Sequence, residues 1–255
     1  MAGGDAPVAM KPEAARKSDL PTRIGSAVVM VCAAAICLWR GGWLLDALVV
    51  LVAGAAYWEW QRIVQRMGGE SGFSSARSLA WMLGGALYIG GAAWLLAAMP
   101  AKLVLFVILV TAFVDTFAYF AGRTIGGPKI APAVSPSKTW AGLGGGVIGA
   151  ALALLLFLLG AHLWAVGVSE ITSGAVAPDS YFVFGGPQAV LSLVAAGAVL
   201  AVLAQAGDFF ESWLKRRAKM KDSSALIPGH GGVLDRIDGL LPVSILVGVL
   251  AQAAG

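Results

Sequence analysis

Between Gly207 and Gly239 the chain reads GDFFESWLKRRAKMKDSSALIPGHGGVLDRIDG, a segment with six of the 18 Lys and Arg and five of the 14 Asp and Glu. Their spacing suits phosphate and metal chemistry. Asp208, Glu211, Ser212, Lys215 and Lys219 fall at i, i+3, i+4, i+7 and i+11, one face of a helix. Phe209, Phe210, Trp213 and Leu214 cover the other side. Pro228, Gly229, Gly231 and Gly232 predict a tight loop whose backbone N–H groups can approach an anion. A helix then resumes, and Asp235 and Asp238 project from one face of its first turn, where the helix dipole favours acids and a pair can hold a divalent cation. Mg²⁺ takes one or two carboxylates and completes its shell with phosphates and water, so acids beside cations and a glycine turn meet its needs. His230, inside the turn, is a general base, a phosphate ligand or a structural residue. A charged stretch beside a membrane is ordinarily a solvated loop that sets topology or attracts anionic headgroups. Such a loop needs neither acids at helical spacing nor the glycines.

A second polar stretch, GRTIGGPKIAPAVSPSKTWAG from Gly122 to Gly142, sets Arg123, Lys129 and Lys138 among Gly, Pro and Ser. Ser135, Ser137 and Thr139 add hydroxyl donors suited to phosphate oxygens. About two helical turns before Arg123 lies Asp115, an acid inside an apolar run, where burial at a helix centre costs at least about 2.5 kcal/mol. It either pairs with a cation, in the polar loops or on a neighbouring helix, or lines a wet cavity. His162, alone near a span end, reads as an interfacial residue.

The elements that must position these groups are membrane helices. The chain has 255 residues, 58% hydrophobic and 13% charged, with a mean hydropathy of +0.81, too apolar for a water-soluble domain. Spanning a bilayer takes about 20 mainly apolar residues. Seven windows qualify or nearly so: Ile24–Trp39, Trp43–Trp60, Leu79–Ala98, Leu103–Ala121, Trp140–Leu163, Pro187–Ala206 and Leu240–Ala254. They are continuous runs rather than the alternating pattern of an outer-membrane barrel. The expected fold is an all-α, polytopic membrane protein of about seven to nine helices, with a polar site on its cytoplasmic face.

With the N-terminus in the cytoplasm, every Lys and Arg except Arg40 and Lys102 lies on the cytoplasmic side, as the positive-inside rule requires. The formal net charge of +4 follows from this bias and does not point to nucleic acid. Cys32 and Cys37 share the first window and indicate neither a disulfide framework nor a metal site. Residues 1–22 read as a disordered cytoplasmic tail and 23–255 as a single membrane domain, with Ala165–Gly186 as a loop on the far side. The run GLGGGVIGA, Gly142–Ala150, reads as close helix packing by small residues rather than a dinucleotide fingerprint, since no strand precedes it. A transporter or channel would distribute ionisable groups along a transmembrane path, whereas here they gather at one face.

The segment SWLKRRAKMKDSSALIPGHGGVLDRID, Ser212–Asp238, resembles the signature of the phosphatidate cytidylyltransferase family, and AYFAGR (Ala118–Arg123) and SPSKTWAG (Ser135–Gly142) extend the resemblance from about residue 113 to the end. One departure stands out: similar proteins have Glu where this chain has Ala141. The resemblance implies transfer of CMP from CTP to phosphatidic acid at the cytoplasmic face of a bacterial-type inner membrane, among membrane lipids, with a homodimer expected. It assigns Mg²⁺ to Asp208, Asp235 and Asp238, and the surplus of carboxylates leaves room for a second cation such as K⁺. Lys215, Arg216, Lys219 and Arg236 would grip phosphates. Gly231, Gly232 and His230 would pack against the triphosphate, Arg123, Ser135, Lys138, Thr139 and Ser212 would bind substrate, and Asp222 would orient a cation or the cytosine. A CTP-dependent lipid kinase is the nearest rival; it would release CDP instead of pyrophosphate.

Overall fold

A computed structural model describes residues 20–171 and 187–254. The polar tail up to residue 19, and the part beyond Ile171 of the loop expected on the far side, lie outside the described residues. Each of the seven apolar windows is helical: α1 (Leu20–Arg40), α2 (Gly42–Ser71), α3 (Ser75–Ala98), α4 (Ala101–Thr124), α5 (Trp140–Ile171), α6 (Pro187–Arg217) and α8 (Leu240–Ala254). Between α4 and α5 a two-stranded antiparallel hairpin, β1 (Lys129–Ala131) and β2 (Ser135–Thr139), is the one β element among the described residues. The single turn α7 (Leu234–Ile237) precedes α8.

Among the described residues six helices are long and apolar enough to cross a membrane. The seventh, α8, has 15 residues and rises about 22 Å at ~1.5 Å per residue, short of the ~30 Å hydrocarbon core. Large apolar side chains such as Leu51, Leu87 and Val190 face outward, as lipid-facing residues do.

Small residues decide how closely α4, α5 and α6 approach. A Cβ on Gly145 would lie 2.6 Å from the Phe117 carbonyl oxygen, one on Gly149 2.5 Å from that of Phe113, and one on Gly197 2.8 Å from the Ala151 nitrogen. The glycine run after Gly142 therefore serves helix packing. One hydrophobic core joins α4, α5, α6 and α8 around Val107, Val110, Ala150, Ala201 and Val243. A second joins α2, α3 and the end of α6 to α7 around Trp60, Ile63, Ile89, Leu214 and Leu234.

The polar segment after α6 folds back into this bundle. The helix ends at Arg217, and Lys219 takes a left-handed backbone with φ 51°. That turn carries Lys219 off the face expected for it and onto α2, where it pairs with Glu70. The chain then re-enters the bundle: Gly239 packs against the Ala204 carbonyl of α6 and Thr111, midway along α4. Gly207 is placed so that any Cβ would overlap the Asp238 carbonyl oxygen. Asp235 and Asp238 are thus held within the protein body, and α8 is short because it starts there.

Candidate active site

The first polar cluster lines a cavity of about 550 Å³ between α4, the hairpin, the start of α5 and α6. Asp115, Tyr119 and Arg123 enter it from α4, Lys138 and Thr139 from β2, and Asp208 from α6. Lys138 Nζ lies 2.6 Å from Asp208 Oδ2 and 4.8 Å from the Phe209 ring centroid. Ser212 Oγ donates to Asp208 Oδ1 at 3.2 Å. Arg123 donates to the Tyr119 hydroxyl at 3.0 Å. Thr139 caps α5, its Oγ1 accepting from the Gly142 amide at 3.0 Å, and this fixes the end of β2 beside Lys138. Ser135 is buried at the start of the strand and Ala141 is half-buried in the first turn of α5.

Asp238 belongs electrostatically to this cluster. Burial, then the negative charges of Asp208 and Asp115, push its carboxyl up to about 7, against the Gly239 amide that it accepts at 2.8 Å and the charge of Lys138. Three carboxylates converge here on one lysine. The intramembrane acid therefore lines a polar cavity, the second of the two roles its position suggests.

The second cluster centres on Lys215, whose Nζ lies 2.6 Å from Glu211 Oε2 and 2.7 Å from Asp235 Oδ1. Asp235 also accepts the Ser223 amide and, at 2.8 Å, the Gly232 amide. Burial pushes its carboxyl up, but hydrogen bonds with Glu211, Lys215 and the Gly232 amide outweigh burial and hold it at about 2. Both oxygens of Asp235 are engaged within the protein. Among the described residues no three His, Cys, Asp or Glu side chains form a metal-binding group.

The glycine turn is closed by a bridge between Ile227 and Gly231, with Gly231 at φ 87°. His230 Nδ1 lies 2.8 Å from Ser26 Oγ of α1, and the His230 carbonyl accepts from Arg236 Nε at 3.1 Å. Arg216 and Asp222 are exposed, and Gly232 is buried. The residues expected to share one site thus divide into a cavity group (Arg123, Lys138, Thr139, Asp208), to which Asp238 is coupled by charge, a loop-holding group (Lys215, Asp235, with Glu211) and an outer group (Arg216, Lys219, Asp222).

Glu59 on α2 is a buried carboxylate that the sequence does not single out. It is fully buried and takes four hydrogen bonds from the re-entering loop. Its one signal is an acid in the run WEWQR, which reads simply as the end of a span.

The sequence model of the Cytidylyltransferase family matches residues 95–254, which include both polar stretches and Asp115. The chain belongs to the cytidylyltransferase family. A phosphatidate cytidylyltransferase of Brucella abortus is 31% identical over 275 aligned residues, covering 90% of this chain and 92% of its own. Phosphatidate cytidylyltransferases of Haemophilus influenzae and Rickettsia felis are 41% and 38% identical over 54% of this chain.

Proposed function

We propose that this chain is a phosphatidate cytidylyltransferase, transferring CMP from CTP to phosphatidic acid to give CDP-diacylglycerol and pyrophosphate. The observation that carries the reading is the cavity between α4, β2 and α6, where cations and acids meet inside a bundle of apolar helices. A lipid phosphate cannot leave the membrane at low cost and a nucleotide triphosphate cannot enter it, so their reaction needs a polar recess in such a bundle.

An oxygen of the phosphatidate phosphate attacks the α-phosphorus of CTP. The new P–O bond forms as the bond from the α-phosphorus to its β-bridging oxygen breaks, and pyrophosphate leaves with that electron pair. The attacking oxygen is already anionic, so no base needs to take a proton. Catalysis consists of positioning two anions and neutralising their repulsion. Lys138, Arg123 and Lys129, on the wall formed by α4 and the hairpin, grip the triphosphate, and the Ser137 and Thr139 hydroxyls add donors. Asp208 holds Lys138 in place. The loop fastened by Lys215 and Asp235 sets Asp238 against the cavity.

The donor set fits Mg²⁺. Asp208 and Asp238 supply the one or two carboxylates that this ion takes from protein, and Asp115 beside them leaves negative charge for a second cation such as K⁺. Asp208 and Asp238 would hold the ion, which would supply charge neutralisation for the triphosphate. On this reading the cavity faces the cytoplasm of a bacterial inner membrane, as the distribution of Lys and Arg supports. The resemblance implies that the enzyme works as a homodimer.

The test follows both labels of CTP carrying distinct α- and γ-phosphate labels, with purified protein, phosphatidic acid and Mg²⁺. The α label is expected in lipid and the γ label in pyrophosphate. Entry of the γ label into a lipid alcohol would establish a kinase instead.

A further inference from the structure

We infer that Glu59, outside the 95–254 stretch that the family model matches, is a positioning residue for this reaction: its carboxylate moulds the Ser223–Leu234 loop and so sets Asp238, which follows the loop, beside the cavity acids Asp208 and Asp115. The claim about catalysis rests on the proposed function; the claim about the loop does not.

Among the described residues, every hydrogen bond that Glu59 accepts comes from this loop. Oε1 takes the Ser224 hydroxyl and, at 2.9 Å, the Val233 amide; Oε2 takes the Ser223 hydroxyl at 2.9 Å and the Leu234 amide at 2.6 Å. A carboxylate is an acceptor only, and here each oxygen meets one hydroxyl and one backbone N–H. The amides matter because α7 is a single turn, whose opening N–H groups have no partner within the helix and whose four residues cannot hold a helix alone. Glu59 supplies that missing cap from another helix, 174 and 175 residues away in sequence.

Ser223 joins this anchor to the second. Its hydroxyl goes to Glu59 and its amide to Asp235, which also takes the Gly232 amide. The loop is therefore wrapped around two carboxylates, one from α2 and one from its own far end. A Cβ on Gly232 would overlap the Ser223 hydroxyl and come within 2.6 Å of Glu59 Oε1, so the fit admits only glycine there without rearrangement. Glu59 is not among the residues lining the cavity. It acts through the residues that follow the loop.

The chemistry separates this role from filling space. A glutamine has nearly the same shape, yet whichever way it is turned its NH₂ group faces one of the two backbone N–H groups, donor against donor. An aspartate is shorter but keeps both acceptors. Glu59→Gln and Glu59→Asp, purified in nanodiscs, should therefore rank in the order opposite to shape, with the aspartate the more active.

For Glu59→Gln, kcat is expected to fall at least about tenfold, because a displacement near 1 Å is costly in transfer chemistry, with little change in KM for CTP. Amide hydrogen exchange at Val233 and Leu234 should quicken by about tenfold or more while that of α4 and α5 is unchanged. Wild-type kcat in Glu59→Gln, unaltered loop exchange, or a glutamine variant more active than the aspartate overturns the inference. If Glu59→Gln does not accumulate folded, Ser224→Ala removes one donor to the same oxygen, and faster Val233 exchange with reduced kcat is expected; no change in either overturns it. The two readings fail separately, since exchange reports on the loop whatever reaction is catalysed. Wild-type protein that moves no α label into lipid removes the proposed reaction, and unchanged exchange in Glu59→Gln removes this clasp.

Discussion

Asp238→Asn should make the protein more stable and less active. In the folded protein the Asp238 carboxyl is pushed from its ordinary value of 3.8 up to about 7, by burial and by the charges of Asp208 and Asp115. At about 1.4 kcal/mol for each tenfold change in proton affinity, keeping it ionised costs the fold roughly 4 kcal/mol above pH 7. The folded state binds this proton more tightly than the unfolded chain does, so the cost is absent below pH 3.8, grows between pH 3.8 and 7, and is complete above that. Asparagine removes the charge and keeps an oxygen that can accept the Gly239 amide now bound at 2.8 Å. The apparent melting temperature of Asp238→Asn in detergent should exceed that of wild type at pH 8, by on the order of 10 °C, with the gap shrinking as pH falls towards 5. Millimolar Mg²⁺ should raise the wild-type value at pH 8 and leave the variant unmoved, because only the charged site gains from the ion. Cytidylyl transfer should drop on the order of 100-fold or more. A variant that is less stable than wild type at pH 8, or a stability gap independent of pH, would refute the argument that repulsion is stored at this carboxyl.

Two further outcomes follow from the same geometry. Lys138→Met keeps the length of the side chain but removes the charge 2.6 Å from Asp208; KM for CTP should rise about tenfold or more, while thermal stability changes by no more than about 1 kcal/mol because the pair is partly exposed. An unchanged KM would remove Lys138 from the nucleotide site. Gly207→Ala places a methyl group on the Asp238 carbonyl and 2.9 Å from Pro242 Cγ, so it should cost about 1–3 kcal/mol and most of the activity, whereas Gly54→Ala on α2 meets nothing within 4 Å and should be neutral in both assays. Equal tolerance of the two substitutions would contradict the close approach of α6 to the start of α8.

Properties written in short stretches of chain are legible in the amino-acid sequence alone. Each apolar window appears as a helix, because continuous apolar runs leave a backbone in lipid no other way to satisfy its N–H and C=O groups. The glycine turn, the i,i+4 pair of Glu211 and Lys215, and the packing role of the run after Gly142 are equally local. Legibility ends where a contact joins distant elements. Lys219 leaves the expected face because a left-handed residue turns the chain after Arg217. The face containing Asp235 and Asp238 says nothing of their division, in which Asp235 fastens the loop and Asp238 meets Asp208 and Asp115. Asp115 and Glu59 are single acids in apolar runs, and nothing nearby in sequence names their partners. Those partners lie on helices and loops brought together by glycine-lined crossings, which depend on every packed surface at once. Composition and spacing thus specify the helices and the kind of chemistry, while the bundle specifies which carboxylate does what.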